Sequence, residues 1–496
     1  MFDTILTNGL VMDGTGTPGI RQDVGIQGET IAALGNLSNA QGGTRIDLSG
    51  CVVAPGFIDI HDHADGSIEK IPQAENFLRQ GITTCIGGNC GGTAFPIGEA
   101  LDRVAQLDIR TNYAVLVGCN TSRGKVLGEE RPATDDEIGK MQDWVRRGFE
   151  EGALGLSSGV RYLPFLTTRE LVEMSKVAAD FDSFYVSHIR DEGKGLLDAI
   201  DELIEVVRQS GAAGQVSHIK CYGRAVWGQA QQVLERIDRA CERDGLDITA
   251  DQYPYTGSHT GLAGVLFGQD TKIRASRQGG LKTLLDNDLR KHAEPHFHEV
   301  LERLDAGRGI ILTAVKSAPK LSGKTLADYL EARDGNPYET TVALCVEDSP
   351  SAIYLAMCEE DVRTYMKSPR VMVGTDGNLQ KSDGGYSHPR NFGTFPRVLA
   401  RYVREQGLIG LEEAVHKMTG MPARRLGFRK RGRIAKGMTA DITVFNPKTI
   451  EDTANFEAPR THSKGIELVL VAGKVALKHD TPIAAGYGRV IRLGEG

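Results

Sequence analysis

Eight short apolar runs set the frame for this 496-residue chain. They fall at 52–60, 81–86, 112–118, 153–157, 183–188, 214–219, 247–252 and 371–376, with helical patterns between most of them, as at 136–151, 168–180, 194–210 and 226–244. Strands alternating with amphipathic helices predict consecutive βα units. Eight such units predict an α/β fold, a (β/α)8 TIM-like barrel, whose reactive groups sit at the C-terminal ends of its strands. The polar residues gather at those ends: His61, His63, Cys90, His188, His218 and Asp376.

The first run ends in His61-Asp62-His63. Residues two apart on a strand share a face, so these imidazoles project together and offer half of a metal site. Alone, that spacing is common in solvated loops. Here Ser187-His188 and Ser217-His218 each add a histidine at a later strand end. Cys90 lies in Gly87-Gly88-Asn89-Cys90-Gly91-Gly92, where glycines let the backbone carry a thiolate close to a metal. Asp376 closes the eighth run, a position from which a carboxylate can move a proton between a water and a leaving group.

The ends of the chain read differently. Residues 1–52 and 429–496 are alternating strand patterns closed by glycine turns, and neither could bury a core alone. They predict one small β-sandwich built from both termini, flanking a barrel over 53–428. The interval between the seventh and eighth runs is too long for a structureless loop. Segments 284–305 and 325–333 read as helices and 309–314 as a strand, so 264–345 is expected to be an inserted, lid-like segment over the barrel mouth. The net charge of −7 argues against a nucleic-acid partner. No apolar run is long enough to span a membrane, and the first residues lack a signal-peptide pattern. Eight cysteines without framework spacing suit reduced thiols, hence a cytoplasmic location.

Over its whole length the chain resembles the amidohydrolase superfamily, and within it the N-acyl-D-amino-acid deacylases (D-aminoacylases). The resemblance is carried by Pro55-Gly56-Phe57-Ile58-Asp59-Ile60-His61-Asp62-His63, the Asn89-Cys90-Gly91 turn, Ser187-His188-Ile189-Arg190-Asp191-Glu192 and Ser217-His218-Ile219-Lys220-Cys221. It continues through Asp251-Gln252-Tyr253-Pro254-Tyr255, Gly374-Thr375-Asp376-Gly377, Ser387-His388-Pro389-Arg390 and Gly393-Thr394-Phe395-Pro396-Arg397. It implies zinc, held tightly by Cys90, His188 and His218, with a second, weaker site at His61, His63 and Cys90. The implied reaction is hydrolysis of an N-acyl-D-amino acid, a small-molecule substrate, by a metal-activated water with Asp376 as general base and acid. Arg390 suits the substrate α-carboxylate, because a guanidinium grips a carboxylate with two hydrogen bonds, and its partner charge is then expected on the substrate. The resemblance adds Lys220 and Tyr253 to that clamp. Arg161, after the fourth run, could reach the acyl or side-chain pocket.

Two other readings stand beside this one. A cyclic-amide hydrolase of hydantoinase or dihydroorotase type bridges two metals with a lysine at the end of strand four, where this chain has Leu156-Ser157-Ser158-Gly159. A non-catalytic amidohydrolase-fold scaffold would have no reason to keep every ligand and Asp376.

Overall fold

A computed structural model describes residues 1–268, 280–483 and 485–496. Eight consecutive parallel strands form the centre: Phe57–Asp59, Ile82–Gly87, Asn112–Val115 continued by Val117–Gly118, Leu156–Gly159, Phe184–His188, Ala213–Val216, Ile248–Gln252 and Val371–Val373. Their ladders run in sequence order, with a break between Val115 and Val117 in the third strand. The eighth strand's end returns to the first through a parallel bridge between Asp62 and Gly377. Helices Asp135–Glu150, Thr168–Asp180, Leu196–Ser210 and Ala230–Arg243 follow the strands. The first two begin in capping boxes at Thr134 and Thr167, where the hydroxyl and a glutamate three residues on satisfy the first backbone N–H groups. This is the (β/α)8 fold.

The run at 52–60 is two strands. Val52–Pro55 pairs antiparallel with Ile442–Phe445, while Phe57–Asp59 enters the barrel. The hinge is Gly56: a Cβ there would stand 2.1 Å from Thr83 Oγ1, so only glycine lets the chain pass. Both termini contribute to the flanking sheets. One orders Thr30–Gly35, Asp23–Gln27, Phe2–Thr7 and Gly42–Asp47; the other has Leu10–Val11 and Val52–Pro55 beside Ile442–Phe445, Ile466–Val471 and Lys474–Lys478. Leu6, Val24, Val53, Ile442, Val444 and Leu468 share one apolar core there.

The segment between the seventh and eighth strands opens with the strand Ser258–Gly261, which pairs antiparallel with Ser351–Tyr354; that strand pairs in turn with Ile310–Leu312. Its helices, including Asn287–Arg303, Leu326–Glu331 and Pro337–Glu347, enclose a separate core around Phe267, Phe297, Tyr338 and Val342. Ser258-His259-Thr260-Gly261 has no apolar alternation, so the sequence gives no strand signal there. Residues 269–279 of the insertion lie outside the described residues. Among the described residues no helix is long and apolar enough to cross a membrane.

Candidate metal centre

Three side chains at the barrel mouth hang from backbone that residues other than glycine seldom adopt. Cys90, His218 and Asp376 have φ of 54°, 33° and 48°. Such conformations cost on the order of 1–3 kcal/mol each, persist only where surroundings enforce them, and concentrate at functional sites. For Cys90 the enforcement is visible. Ser157, on the fourth strand, donates to Gly88 O at 2.5 Å and accepts from Gly91 N at 3.1 Å, so one hydroxyl grips both shoulders of the turn. The position where hydantoinase-type enzymes need a lysine here belongs to a strand whose serine secures Cys90.

Around the Cys90 Sγ stand His61 Nε2 at 3.6 Å, His188 Nδ1 at 3.8 Å and His218 Nε2 at 3.5 Å. Sulfur and nitrogen bound to one tetrahedral zinc, at about 2.3 and about 2.0 Å from it, are themselves about 3.5 Å apart. The spacing therefore fits a zinc ion shared by these donors. Burial pushes the Cys90 thiol upward, but the imidazoles of His218, His188 and His61 outweigh it and hold it well below the ordinary thiol range, in the thiolate form a metal takes. Two further groups of close donors adjoin: His61, His63 and Asp376, and His188, Glu192 and His218. His63 Nε2 lies 3.1 Å and His61 Nε2 3.7 Å from Asp376 Oδ1.

Two buried carboxylates that the sequence reading passed over orient these rings. Asp251, at the end of the seventh strand, places Oδ1 2.9 Å from His61 Nδ1 and accepts the His218 backbone N–H at 2.7 Å. Gln215 donates to its other oxygen at 2.7 Å. Glu192 lies 3.2 Å from His218 Nδ1 and 3.5 Å from His188 Nε2. Each leaves the opposite nitrogen facing the sulfur, the usual way a carboxylate fixes a metal-binding imidazole. The sequence signal was a strand-end acid for Asp251 and an acid four residues past His188 for Glu192. We expect Asp251→Asn to lower zinc affinity about 10- to 100-fold, measured by competition against a chelator.

The strand ends are tied to one another. Asp59 accepts from Thr375 N at 2.9 Å and Thr375 Oγ1 at 2.6 Å, Asp376 N donates to His61 O at 2.7 Å, and His63 N donates to Gly377 O at 2.7 Å. The first and eighth strands thus deliver His61, His63 and Asp376 as a unit.

A cavity of about 650 Å³ opens on this cluster. His63, Cys90, His188, His218 and Asp376 line it, together with Lys220, Tyr253, Arg390 and Arg161; His61 lies fully buried behind them. Tyr162, Tyr222, His259 and Val265, not foreseen from sequence, also line the wall. Arg390 differs from expectation: its charge partner is on the protein. Nη1 lies 2.7 Å from Asp376 Oδ2, and the guanidinium sits 4.7 Å from the Tyr253 ring centroid. The physical reason is burial. A guanidinium 4% exposed needs a counter-charge, and Asp376 faces it. Lys220 is likewise buried, bound to Glu192, with Nζ 2.7 Å from His218 Nδ1. Arg161 has Asp191 at 3.8 Å. Burial raises Asp376, but Arg390 and the nearby histidines prevail and hold its carboxyl well below the usual range.

Comparison with known proteins shows the family. The amidohydrolase family model matches residues 340–477. The N-acyl-D-glutamate deacylase of Alcaligenes xylosoxydans xylosoxydans is 36% identical over 517 residues, covering 99% of this chain and 96% of its own. The D-aminoacylase of the same organism is 34% identical over 516 residues, with 99% and 97% covered. A solved N-acyl-D-glutamate deacylase from Bordetella bronchiseptica, complexed with zinc and a phosphonate mimic of the tetrahedral intermediate, superposes with a TM-score of 0.86 at 34% identity, covering 99% of both chains. Fold and site define a metal-dependent amidohydrolase. The chain belongs to the D-aminoacylase (N-acyl-D-amino-acid deacylase) family of that superfamily.

Proposed function

We propose that the protein hydrolyses the amide bond of N-acyl-D-amino acids to a carboxylate and a free D-amino acid, with zinc as its metal. The observation that carries this reading is one cavity holding three parts: the Cys90 sulfur ringed by His61, His188 and His218, the Asp376 carboxylate, and the buried Arg390 guanidinium. Cys90, His188 and His218 are assigned the tight site, and His61, His63 and Cys90 the weaker one. Bound there, zinc would polarise the scissile carbonyl and lower the pKa of the attacking water.

The chain's own residues do the rest. Asp376 presents Oδ1 toward His61 and His63, while Arg390 holds Oδ2, so Oδ1 is the oxygen that accepts the water's proton and passes it to the departing amine. Arg390 keeps a second donor in reserve: its buried Nε has no hydrogen-bond partner among the described residues, and the Tyr253 hydroxyl lies beside the guanidinium. These two donors suit the substrate α-carboxylate. Lys220 acts on it through charge, and Arg161 at the wall faces the acyl or side-chain end. In this reading 53–428 carries the chemistry, 1–52 with 429–496 supports it, and 264–345 roofs the cavity. Eight free thiols support a cytoplasmic location, since the ligand Cys90 must stay reduced.

Specificity constants for matched N-acetyl-D- and N-acetyl-L-amino acids, with zinc content measured on the same preparation, test the reading. Turnover of cyclic amides but not of these linear ones would overturn it. A zinc-free, inactive protein would return the scaffold reading.

Arg390→Ala should weaken kcat/KM by several kcal/mol, about 2–5 for truncating one side of a buried charge pair. Because Arg390 also braces Asp376, an N-acyl-D-amino-acid amide should lose activity too, but less. Equal losses on acid and amide would remove Arg390 from the α-carboxylate and leave it only the Asp376 contact.

A further inference from the structure

One buried histidine is left over from this chemistry. His388 is fully buried, and both ring nitrogens are committed. Nδ1 accepts the backbone N–H of Arg390 at 3.0 Å, and Nε2 lies 2.8 Å from the carbonyl oxygen of Gly257. An acceptor at Nδ1 and a carbonyl at Nε2 require the neutral ring with its hydrogen on Nε2. Burial and the Arg390 charge both push its pKa well below the ordinary imidazole value, which agrees. Tyr255 and Phe456 hold the ring edge-on, with centroids at 5.5 and 5.3 Å.

The two ends of this link matter. Gly257 immediately precedes Ser258–Gly261, the strand that opens the inserted segment and lines the cavity. Arg390 is the first residue of the helix Arg390–Arg397. The imidazole therefore spans from the roof of the cavity to the backbone that carries the guanidinium. Asn391, the next residue, is fixed by Ser387, by Asn378 and by the backbone carbonyl of His388, not by its ring. The Arg390 N–H rests on His388 Nδ1.

We propose that His388 is a positioning residue for α-carboxylate recognition, acting through Arg390: its neutral ring sets where the guanidinium stands between Asp376, Tyr253 and the substrate, and registers the inserted strand to that point. The proposal rests on the deacylase reading for the identity of the anion and on the structure alone for the link.

The test separates the two nitrogens. In His388→Asn, an amide oxygen can take the place of Nδ1 and keep the Arg390 contact while the Gly257 contact is lost. His388→Gln can reach Gly257 but offers Arg390 nothing. We expect His388→Gln and His388→Ala to lower kcat/KM for N-acetyl-D-amino acids about 10- to 100-fold, mainly through KM and with zinc content unchanged, as for a displaced binding group. The matching D-amino-acid amides should change little, and His388→Asn should recover most of the loss. In an Arg390→Ala background the His388 changes should cost nothing further. Equal losses on acids and amides, an Asn variant no better than Gln, or a full loss in the Arg390→Ala background would each overturn the proposal and leave His388 a packing residue. The nitrogen-15 spectrum of the zinc-loaded full chain gives a readout independent of activity: His388 should show a bare Nδ1 and a protonated Nε2. The opposite tautomer or a charged ring would overturn the link itself. If wild type fails to hydrolyse N-acetyl-D-amino acids, the deacylase reading fails, and the spectrum still decides the link.

Discussion

Cys90→Ala should yield a folded protein that retains no tightly held zinc and has lost nearly all activity. Three protein ligands leave no reserve when one goes, and this one is an anionic donor touching three imidazoles at once, at 3.5–3.8 Å. Loss of an outer carboxylate alone costs roughly 10- to 100-fold in metal affinity, so loss of the thiolate should exceed that. Removing it also frees the three rings from the charge that draws them together. Cys85 supplies the control. It lies five residues earlier, fully buried, with its sulfur 3.3 Å from Thr111 Oγ1 and its thiol pushed well up by burial. Cys85→Ala should keep its zinc and its turnover, at the cost of a small cavity. Zinc per chain by elemental analysis, beside kcat, decides the matter. A Cys90→Ala protein with full zinc and full activity would sink the assignment, and one that loses zinc only together with its fold would make Cys90 structural.

What the sequence disclosed, and what it hid, follows from range and from polarity. Parallel strands buried on both faces are near-continuous apolar runs, which is why Phe184–His188 and Ile248–Gln252 were legible almost to the residue. The fourth strand was expected at 153–157 and lies at Leu156–Gly159, because Ser-Ser-Gly looks like a turn until Ser157 is seen holding the Cys90 loop. The strand Ser258–Gly261 is polar and half-exposed and carries no such pattern. Ligands at strand ends were readable because period and topology place them. Their partners were not: nothing local marks which of 65 acidic residues meets which ring, and Asp251 reaches His61 across the barrel from 190 positions away. The Arg390–Asp376 pair was missed for a related reason. A charged residue's partner depends on what burial has removed from water, and the sequence does not show that both side chains are sealed in the same wall.

That pair sharpens the last expected result. Asp376→Asn should keep the tight zinc and lower kcat by orders of magnitude, about 10²–10⁴-fold, the usual span for removing a general acid and base. The amide fills nearly the same space, so the loss should be in turnover rather than in binding. It also removes the charge opposite Arg390, leaving the guanidinium more available to the substrate carboxylate; KM should therefore hold or fall while kcat collapses. Asp376 also stands 3.1 Å from His63 Nε2, close enough to be a metal ligand, so the same variant tests a second role. Zinc titration of Asp376→Asn separates them. Retained tight zinc with collapsed turnover makes Asp376 the proton carrier. Lost zinc, with turnover restored once excess metal is supplied, makes it a ligand and leaves the proton transfer to another group, of which His63, the most exposed ring of the cluster, is the nearest.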